Sequence, residues 1–423
     1  MHLFFIRAFN DIDHLTPVVW KMSRSHYPVA VYCLNPQYDI QNDYRLTFLK
    51  DLGIPVDYIY CAFNQQLGRW HRILMSLFLW SFAIERKMVS NDRLDSLKVT
   101  RMIAKQAGKI GSWFYRIAKN KYYDRRCALG FLKQTNARTL CFDWIRPHKY
   151  VVDAILCAAQ KMSIPTLALP HGVFLYTNED VQTESKEEGL LARYNAYDYV
   201  VVQNRSFKNL IAKSGVVVEK IHVLGSARYC NEWMAQNTKI LPKTIRLQDD
   251  RSKKLKVVFM TTRPHYRIDV DRMIKTFGIL SELEDIEVAV KPHTRTGKEA
   301  ALYASLPLSN VSDISSIELC EWADVVLVIG SSIIIEAQTR NKPALYLKYL
   351  HENITVYEEL KACWIIHNED ELTEALLSIK DGKKCRPYTD EDVDRFLTEI
   401  ICGGQKGRDV LADYEQFIVN QAR

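Results

Sequence analysis

The stretch VVLVIGSSIIIEAQTRNKP, residues Val325–Pro343, decides the fold class of this chain. Five apolar residues end in one glycine and two serines, and an apolar segment of helix length follows. This order predicts a buried parallel strand, Val325–Ile329, that turns directly into a helix, Ser332–Arg340. The first backbone N–H groups of a helix are free, the helix dipole is positive there, and serine hydroxyls add donors. The stretch therefore predicts a phosphate site at Ser331 and Ser332, with simple helix capping as the alternative.

The same alternation of strand and helix recurs on both sides of a polar, charge-rich stretch at about 235–254, which predicts a linker. We therefore expect an α/β protein with two doubly wound, Rossmann-like parallel sheets that face a cleft, with ligands at the carboxyl ends of the strands. The predicted domains are 1–234, with a helical basic insertion at about 68–135, and 255–390; the helices of 391–423 are expected to pack back on the first domain. A short helix is predicted near Glu299–Ala304. The predicted strands are His2–Arg7, Tyr27–Leu34, Val56–Tyr60, Thr139–Phe142, Thr166–Leu169, Tyr199–Gln203, Ile221–Leu224, Lys256–Met260, Ile286–Val290, Val325–Ile329 and Ala344–Leu347.

Composition indicates an ordinary globular protein of 423 residues, 48% hydrophobic and 25% charged. The ten cysteines form no CxxC pair, which favours reduced thiols and a cytoplasmic location. Met1–Arg7 is too short for a signal peptide and is typical of a first strand. The longest largely apolar run, Ile73–Ile84, has about twelve residues, whereas a membrane-spanning helix needs about twenty. No transmembrane segment is expected.

Positive charge is concentrated in one block of the sequence. Arg69–Lys133 contains 15 Lys and Arg residues against 4 Asp and Glu, together with three tryptophans. The block predicts binding to an anionic membrane surface, so that the protein would lie on the inner face of the cell membrane. A solvated helical insertion and an anionic polymer are the alternatives. Nucleic acid is not expected as a partner, because no helix-turn-helix, zinc-finger or RNP pattern accompanies the charge.

Donors and positive charges follow several predicted strands in succession. Because ligands bind at the carboxyl ends of parallel strands, and both predicted sheets face one cleft, these residues together predict a diphosphate site in that cleft. The residues in question are His171, Gly172, Gly225, Ser226, Arg228, Thr262, Arg263, Lys291, His293, Ser331 and Ser332, with Glu336 one helical turn later. Glu336 is a candidate acceptor from sugar hydroxyls or, alternatively, a capping charge on its helix.

Several chemistries lack their usual sequence support. The chain has no HExxH, GxSxG, GxxxxGK[ST] or GxGxxG motif, which disfavours proteases, hydrolases, kinases and dinucleotide oxidoreductases. The Asp-x-Asp triplets Asp11–Asp13 and Asp269–Asp271 are weak metal candidates. We therefore expect neither a metal nor a cofactor.

Four motifs follow one another along the chain: Leu169-Pro170-His171-Gly172, Val223-Leu224-Gly225-Ser226-x-Arg228, Val290-Lys291-Pro292-His293 and Ser331-Ser332-x3-Glu336-Ala337 with Lys342-Pro343. Together they resemble the bacterial surface-polysaccharide transferases of the GT-B class. The relatives with this pattern are the CDP-glycerol glycerophosphotransferases and the Kdo and sialic acid transferases of capsule assembly.

The resemblance implies specific roles for these residues. His171 matches the histidine near the reacting centre, His293 the histidine that contacts the donor phosphate, and Ser331 and Ser332 the donor-binding serine pair. Two positions depart from the pattern: Thr294 replaces a proline, and Ile329–Gly330 replaces Asp-Tyr, the pair of the glycerophosphotransferases. The second departure favours sugar transfer over glycerol phosphate transfer.

The resulting hypothesis is a metal-independent glycosyltransferase that moves a sugar from a nucleotide-activated donor to a glycan or glycolipid acceptor. His171 would take the proton of the acceptor hydroxyl, and Asp143, Asp13 or Asp11 are the alternatives for this role. Three other functions remain open: a CDP-glycerol-type glycerophosphotransferase, an enzyme like the UDP-N-acetylglucosamine 2-epimerases, and a non-catalytic scaffold of a capsule complex.

Overall fold

The computed structural model describes residues 1–89, 98–173, 175–177, 191–244, 254–262, 267–293, 308–311, 314–383 and 386–422. The chain divides into two compact units. Unit 1 comprises Met1–Gly172, Gly189–Ile240 and Gly407–Arg423, and unit 2 comprises Val173–Glu188 and Leu241–Lys406. The helix at Val410–Gln421 thus belongs to unit 1, whereas the helix at Asp390–Cys402 belongs to unit 2.

Both units are built on parallel strands whose residues are mostly buried and apolar. The strands are β1 His2–Ile6, β2 Val29–Cys33, β3 Val56–Tyr58, β4 Thr139–Asp143, β5 Thr166–Leu169, β6 Tyr199–Val202, β7 Ile221–Val223, β8 Leu255–Met260, β9 Ile286–Lys291, β10 Ser309–Asn310, β11 Val325–Val328, β12 Ala344–Leu347 and β13 Trp364–Ile366.

Helices alternate with these strands. The α-helices are α1 Phe9–Arg24, α2 Tyr44–Asp51, α3 Ile59–Gln65, α4 Arg69–Val89, α5 Lys98–Lys121, α6 Arg125–Gln134, α7 Val152–Lys161, α8 Arg205–Lys213, α9 Asn231–Ile240, α10 Val270–Glu282, α11 Ser316–Trp322, α12 Ile333–Thr339, α13 Val356–Glu359, α14 Glu369–Lys380, α15 Asp390–Cys402 and α16 Val410–Gln421. Short 3₁₀ helices occur at Leu191–Ala196, Val218–Lys220 and Lys348–Leu350.

The predicted fold class, an α/β protein with two doubly wound parallel sheets, is confirmed. The sheet of unit 1 has the order β3-β2-β1-β4-β5-β6-β7, and that of unit 2 has the order β10-β9-β8-β11-β12-β13. All the strand pairs are parallel. The strand order reverses between β1 and β4 in unit 1 and between β8 and β11 in unit 2. Such a reversal is a topological switch point, where open α/β sheets bind ligands.

Every predicted strand is present within one or two residues of its expected bounds, but two strands were not predicted. β10 consists of two polar residues, and β13 of three residues at the edge of its sheet, so neither has a readable hydrophobic period. The predicted linker at 235–254 is partly wrong, because its first residues belong to α9. The helix predicted near Glu299–Ala304 lies outside the described residues.

The basic insertion is helical, as predicted, and lies in the crossover between β3 and β4. Two long helices, α4 and α5, pack side by side, with Ser81 Oγ donating a 2.7 Å hydrogen bond to the carbonyl oxygen of Ala107. Gly108 and Gly111 face Glu85 and Phe82, so a side chain at either glycine would collide with α4. Among the described residues, no helix combines the length and apolarity that crossing a bilayer would require.

Candidate active site

Four charged side chains meet at the switch point of unit 1. Arg7 directly follows β1, Asp143 is the last residue of β4, and His171 lies two residues beyond β5. Asp143 is in register with Leu169, the last residue of β5, so the two strands end at the same level. Asp11, in the first turn of α1, completes this Asp–His cluster of Arg7, Asp11, Asp143 and His171.

The cluster is held together by ion pairs. Nδ1 of His171 forms a close ion pair with Asp11 and lies 3.3 Å from Oδ2 of Asp143. Arg7 pairs closely with Asp143 and, through Nε, lies 3.4 Å from Asp11. Nη2 of Arg7 is also 3.2 Å from Nδ1 of His171. Because a guanidinium only donates and Nδ1 faces two carboxylates, we assign the proton to Nδ1 and do not count this last contact as a hydrogen bond.

Asp11 reaches the cluster because α1 begins at Phe9, directly after the loop that follows β1. Its carboxylate accepts hydrogen bonds from the backbone N–H groups of Arg7, at 2.7 Å, and Ala8, at 3.1 Å. These bonds fix the start of the helix at Phe9. The same carboxylate therefore orders the backbone and holds the His171 ring.

Burial divides the cluster into supporting and accessible groups. The side chains of Asp11 and Asp143 are 0% exposed, whereas that of His171 is 32% exposed. Burial lowers the pKa of His171, but its hydrogen bonds to the two carboxylates outweigh burial and raise the pKa to about 9. His171 is therefore an imidazolium at neutral pH, with one face accessible to a ligand.

The pKa values of the two aspartates shift in opposite directions. Burial raises the pKa of Asp11, but His171 and Arg7 hold it below its ordinary value. Burial and the adjacent charge of Asp11 raise the pKa of Asp143. Asp143 is accordingly suited to orient His171 and not to contact a substrate, because its side chain is fully buried.

This arrangement has defined chemical uses. An imidazolium braced by carboxylates stabilises a developing negative charge, and once deprotonated it accepts a proton from a hydroxyl group. Asp11, Asp143 and His171 also offer three ligand atoms within 4.8 Å of one another, a set that would suit a divalent cation. Arg7 and protonated His171 already balance the two carboxylates, so a cation would have to displace their positive charges.

Asp13 lies outside this cluster. Its carboxylate pairs closely with Arg45 and lies 2.9 Å from Nη1 of Arg228. Burial raises the pKa of Asp13, but these two arginines lower it below its ordinary value. The geometry thus favours a structural ion network for Asp13, in place of the predicted role as a base.

Four of the predicted donor ligands belong to unit 1. Gly172 directly follows His171, and Arg228 is held by Asp13. Gly225 has a φ of 84°, which favours glycine, and its carbonyl oxygen accepts a 3.0 Å hydrogen bond from the Tyr414 hydroxyl. Ser226 is fully buried.

The loops after β8, β9 and β11 form a second strand-end site, in unit 2. Met260, Lys291 and Val328 are in register across the three strands, so the residues that follow them leave the sheet at one edge. Thr262, His293, Ser331 and Ser332 occupy these loops, and we call them the hydroxyl–histidine loops. Arg263, predicted to join them, lies outside the described residues.

The two serines directly precede α12, which begins at Ile333, one residue later than predicted. Both are partly exposed, and Ser332 occupies the N-cap position without making a side-chain capping bond. Ser331 Oγ accepts a 3.3 Å hydrogen bond from the backbone N–H of Ile333. The hydroxyl of Ser332 is thus not used to cap the helix.

Gly330 sets the shape of this turn. Its φ is 56°, and a Cβ atom built on it would collide with the hydroxyl of Tyr176. That hydroxyl donates a 2.8 Å hydrogen bond to the carbonyl oxygen of Gly330. Tyr176 was not predicted, because it comes from a distant segment and carries no local pattern.

Two predicted ligands are engaged within unit 2. Lys291 is 7% exposed, and its Nζ donates a close hydrogen bond to the carbonyl oxygen of Ile314. Glu336 is 2% exposed and pairs closely with Arg340 one turn further along α12. The geometry favours supporting roles for both, and for Glu336 this is the charge-capping alternative.

No protein-family model and no curated protein matches the sequence. Solved structures match over nearly the whole chain. A UDP-GlcNAc 2-epimerase from Neisseria meningitidis bound to UDP-GlcNAc is 12% identical, with a TM-score of 0.54 and 99% of each chain covered. The wall teichoic acid polymerase TagF, soaked with CDPG, is 13% identical, with a TM-score of 0.51 and coverage of 100% of this chain and 88% of its own.

A third similar structure is the glycotransferase of kitacinnamycin, 11% identical, with a TM-score of 0.51 and coverage of 99% of this chain and 98% of its own. At this level of identity the likeness shows the fold, which is of the GT-B type.

Proposed function

We propose that the protein is an enzyme of nucleotide-sugar chemistry, and specifically a glycosyltransferase that moves a sugar from a nucleotide-activated donor to a glycan or glycolipid hydroxyl in the cytoplasm. The observation that carries the proposal is the Asp–His cluster at the switch point of unit 1. Its partly exposed imidazole is oriented by two buried carboxylates, an arrangement suited to proton transfer from a hydroxyl.

The donor is assigned to unit 2. The hydroxyl–histidine loops offer hydroxyl and imidazole groups at one sheet edge, next to the switch point between β8 and β11. These donors suit a diphosphate. The structures that resemble this chain include proteins bound to UDP-GlcNAc and to CDPG, which supports a nucleotide-activated donor.

In the proposed sugar transfer, one bond forms, one bond breaks and one proton moves to the enzyme. The hydroxyl oxygen of the acceptor forms a bond to the anomeric carbon of the sugar as the bond from that carbon to the nucleotide phosphate breaks. The hydroxyl proton passes to deprotonated His171, and the phosphate leaves with the electron pair. In this scheme Asp11 and Asp143 stabilise the imidazolium that forms, and neither touches the substrate.

An acceptor-dependence assay tests the proposal. After a thermal-shift screen with CMP, CDP, UDP, GDP and ADP, the activated sugars of the stabilising nucleotide are incubated with and without glycan acceptors. A ligand at about a hundred times its dissociation constant should add about 2.7 kcal/mol of stability. Products that form only with acceptor support a transferase, and transfer of glycerol phosphate from CDP-glycerol would indicate a glycerophosphotransferase.

The second candidate is a 2-epimerase, which several of the similar structures favour. It would isomerise the activated sugar without any acceptor. Nucleotide binding without turnover of any donor, with or without acceptor, would favour the non-catalytic scaffold.

The variant His171→Ala tests whether turnover depends on the Asp–His cluster. We expect turnover to fall by about 10²–10⁴-fold while nucleotide binding is retained, because the nucleotide is assigned to unit 2. His148→Ala is the matched control, since His148 is an exposed histidine in the loop that follows β4. Undiminished turnover in His171→Ala would refute the assignment of the base.

A further inference from the structure

The helix pair α4–α5 exposes an apolar stripe that no other part of the described chain covers. On α4, Trp70, Ile73, Leu77 and Trp80 are 82%, 56%, 40% and 65% exposed. Their spacing of three and four residues places them along one face of the helix. An exposed row of this kind marks an interaction surface.

The second helix carries a matching stripe. Ile103, Ile110 and Trp113 are 44%, 51% and 57% exposed. Single exposed apolar side chains are ordinary on protein surfaces, but three tryptophans on one pair of helices are not.

The aromatic residues of the insertion divide into an inner and an outer set. Phe78 and Phe82 are buried between the helices, and the ring of Phe78 lies 5.9 Å from that of Tyr115. Trp80 and Trp113 point away from this core. The core is thus complete without the tryptophans.

Both stripes lie on the same side of the pair. Phe78 lies beside Tyr115 and Phe82 beside Gly111, so the helices run antiparallel. Successive residues of a helix are about 100° apart around its axis. On each helix the exposed stripe is therefore centred about 120° from the side that touches the other helix. The rotation from the contact side to the stripe has the same sense about both helix axes. Because the two axes point in opposite directions, equal rotation brings both stripes to one face, which we call the tryptophan face.

The positive charge of the helices α4 and α5 indicates which kind of surface the tryptophan face binds. Residues 69–89 and 98–121 contain eleven Lys and Arg residues and a single acidic residue, Glu85. Arg69 and Lys87 on α4, and Lys109 on α5, are exposed along the outer flanks. Tryptophan and basic side chains beside an aliphatic stripe match the headgroup region of an anionic bilayer.

A second copy of the chain and nucleic acid fit the tryptophan face less well than an anionic bilayer does. A second copy of the chain would bring two strongly positive surfaces together, which repel each other. Nucleic acid would satisfy the positive charges and stack on the tryptophans, but it would leave the aliphatic side chains of Ile73, Leu77 and Ile110 without an apolar partner, which a bilayer supplies.

We infer that the tryptophan face docks on the surface of an anionic lipid bilayer, with α4 and α5 lying in the plane of the interface. At about 1.5 Å per residue, α4 alone is about 30 Å long and lays its stripe along the membrane. The inference concerns attachment and does not depend on which reaction the protein catalyses.

Vesicle sedimentation of the full chain tests this docking. We expect binding to vesicles of phosphatidylcholine with phosphatidylglycerol, weaker binding as salt increases, and little binding to phosphatidylcholine alone. The triple variant Trp70→Ser, Trp80→Ser and Trp113→Ser should lower partitioning at least about tenfold, because it removes the largest apolar side chains of the face. Val217→Ser with Val218→Ser, at an exposed apolar site outside the insertion, is the matched control.

Quenching of tryptophan fluorescence by brominated lipids gives a readout on the unmutated chain. Quenching in anionic vesicles supports insertion at the headgroup level. No binding by the wild-type chain, unchanged binding by the triple variant, or equal binding to neutral vesicles would overturn the inference. Concentration-dependent dimers that the triple variant abolishes, without vesicle binding, would assign the face to a second copy.

Discussion

The two strand-end sites are placed alike and composed differently. Each lies at the switch point of its sheet, yet the Asp–His cluster of unit 1 consists of paired charges, whereas the hydroxyl–histidine loops of unit 2 consist of hydroxyls, an imidazole and backbone. In unit 1 two carboxylates are 0% exposed and form ion pairs with Arg7 and His171. In unit 2 the serines are partly exposed.

The difference indicates a division of labour. Buried ion pairs fix one ring in one orientation and change its proton affinity, which proton transfer needs. The serine hydroxyls and the backbone N–H groups of unit 2 bind an anion without themselves titrating near neutral pH. The comparison therefore predicts that changes in unit 1 alter stability and pH dependence, while changes in unit 2 alter nucleotide affinity.

Arg7→Met should have the largest effect on folding. It would leave Asp11 and Asp143 buried with only His171 to neutralise them, and loss of one partner from a buried ion pair costs about 3–5 kcal/mol. Hydrogen exchange of the β1 and β4 backbone amides measures this cost within unit 1. Arg24→Met is the control, because Arg24 is 62% exposed and pairs with Glu232 at the surface, where we expect a loss of at most about 1 kcal/mol.

A double-mutant cycle sharpens this test. Asp143→Asn introduced into Arg7→Met should cost less than the sum of the two single changes, because both remove the same ion pair. Strictly additive losses would show that the cluster is not one coupled network.

Features that depend on a local sequence pattern were predictable, whereas contacts between residues far apart in the sequence were not. The strand ends that carry His171, Ser331 and Ser332 follow from the alternation of apolar runs with helices, which is a local property. The choice between Asp11 and Asp13 did not follow, because it depends on where α1 begins. Two residues along a helix are about 200° apart, so one carboxylate reaches His171 and the other Arg45.

Lys291 shows the same limit in unit 2. β9 extends one residue further than predicted, so Lys291 belongs to the strand and its ammonium is bonded to the carbonyl of Ile314. The contact joins residues far apart in the sequence. No local pattern distinguishes a lysine bonded in this way from one that faces a ligand.

The pH response of unit 1 should be the next largest effect. His171 has its pKa raised from 6.5 to about 9, so the stabilisation from its ion pairs is complete below about pH 6.5 and is lost as the pH rises through about 9. If deprotonated His171 is the base, kcat/KM should rise with pH towards a plateau above about pH 9.

Asp11→Asn tests the cause of that shift. Removing one of the two carboxylates should lower the pKa of His171 by about 1–3 units and move the rising limb of the kcat/KM profile equally. An NMR titration of the imidazole follows the pKa without relying on activity. Asp51→Asn, an exposed carboxylate at the end of α2, is the control and should leave both curves in place. A profile that stays fixed while the imidazole pKa moves would mean that another group is the base.

Replacing the two serines of unit 2 should have the smallest effect and should be confined to binding. Ser331→Ala with Ser332→Ala removes two hydroxyl donors but leaves the backbone N–H groups, so we expect nucleotide affinity to fall about tenfold, measured by titration calorimetry. Ser315→Ala is the matched control, because Ser315 caps α11 through a 3.1 Å bond from the backbone N–H of Glu318. It should cost about 1 kcal/mol of stability without changing affinity. If the double serine variant instead shifts the pH profile of kcat/KM and leaves nucleotide affinity unchanged, the two sites have the opposite roles. The titrating group that controls the reaction would then lie in unit 2.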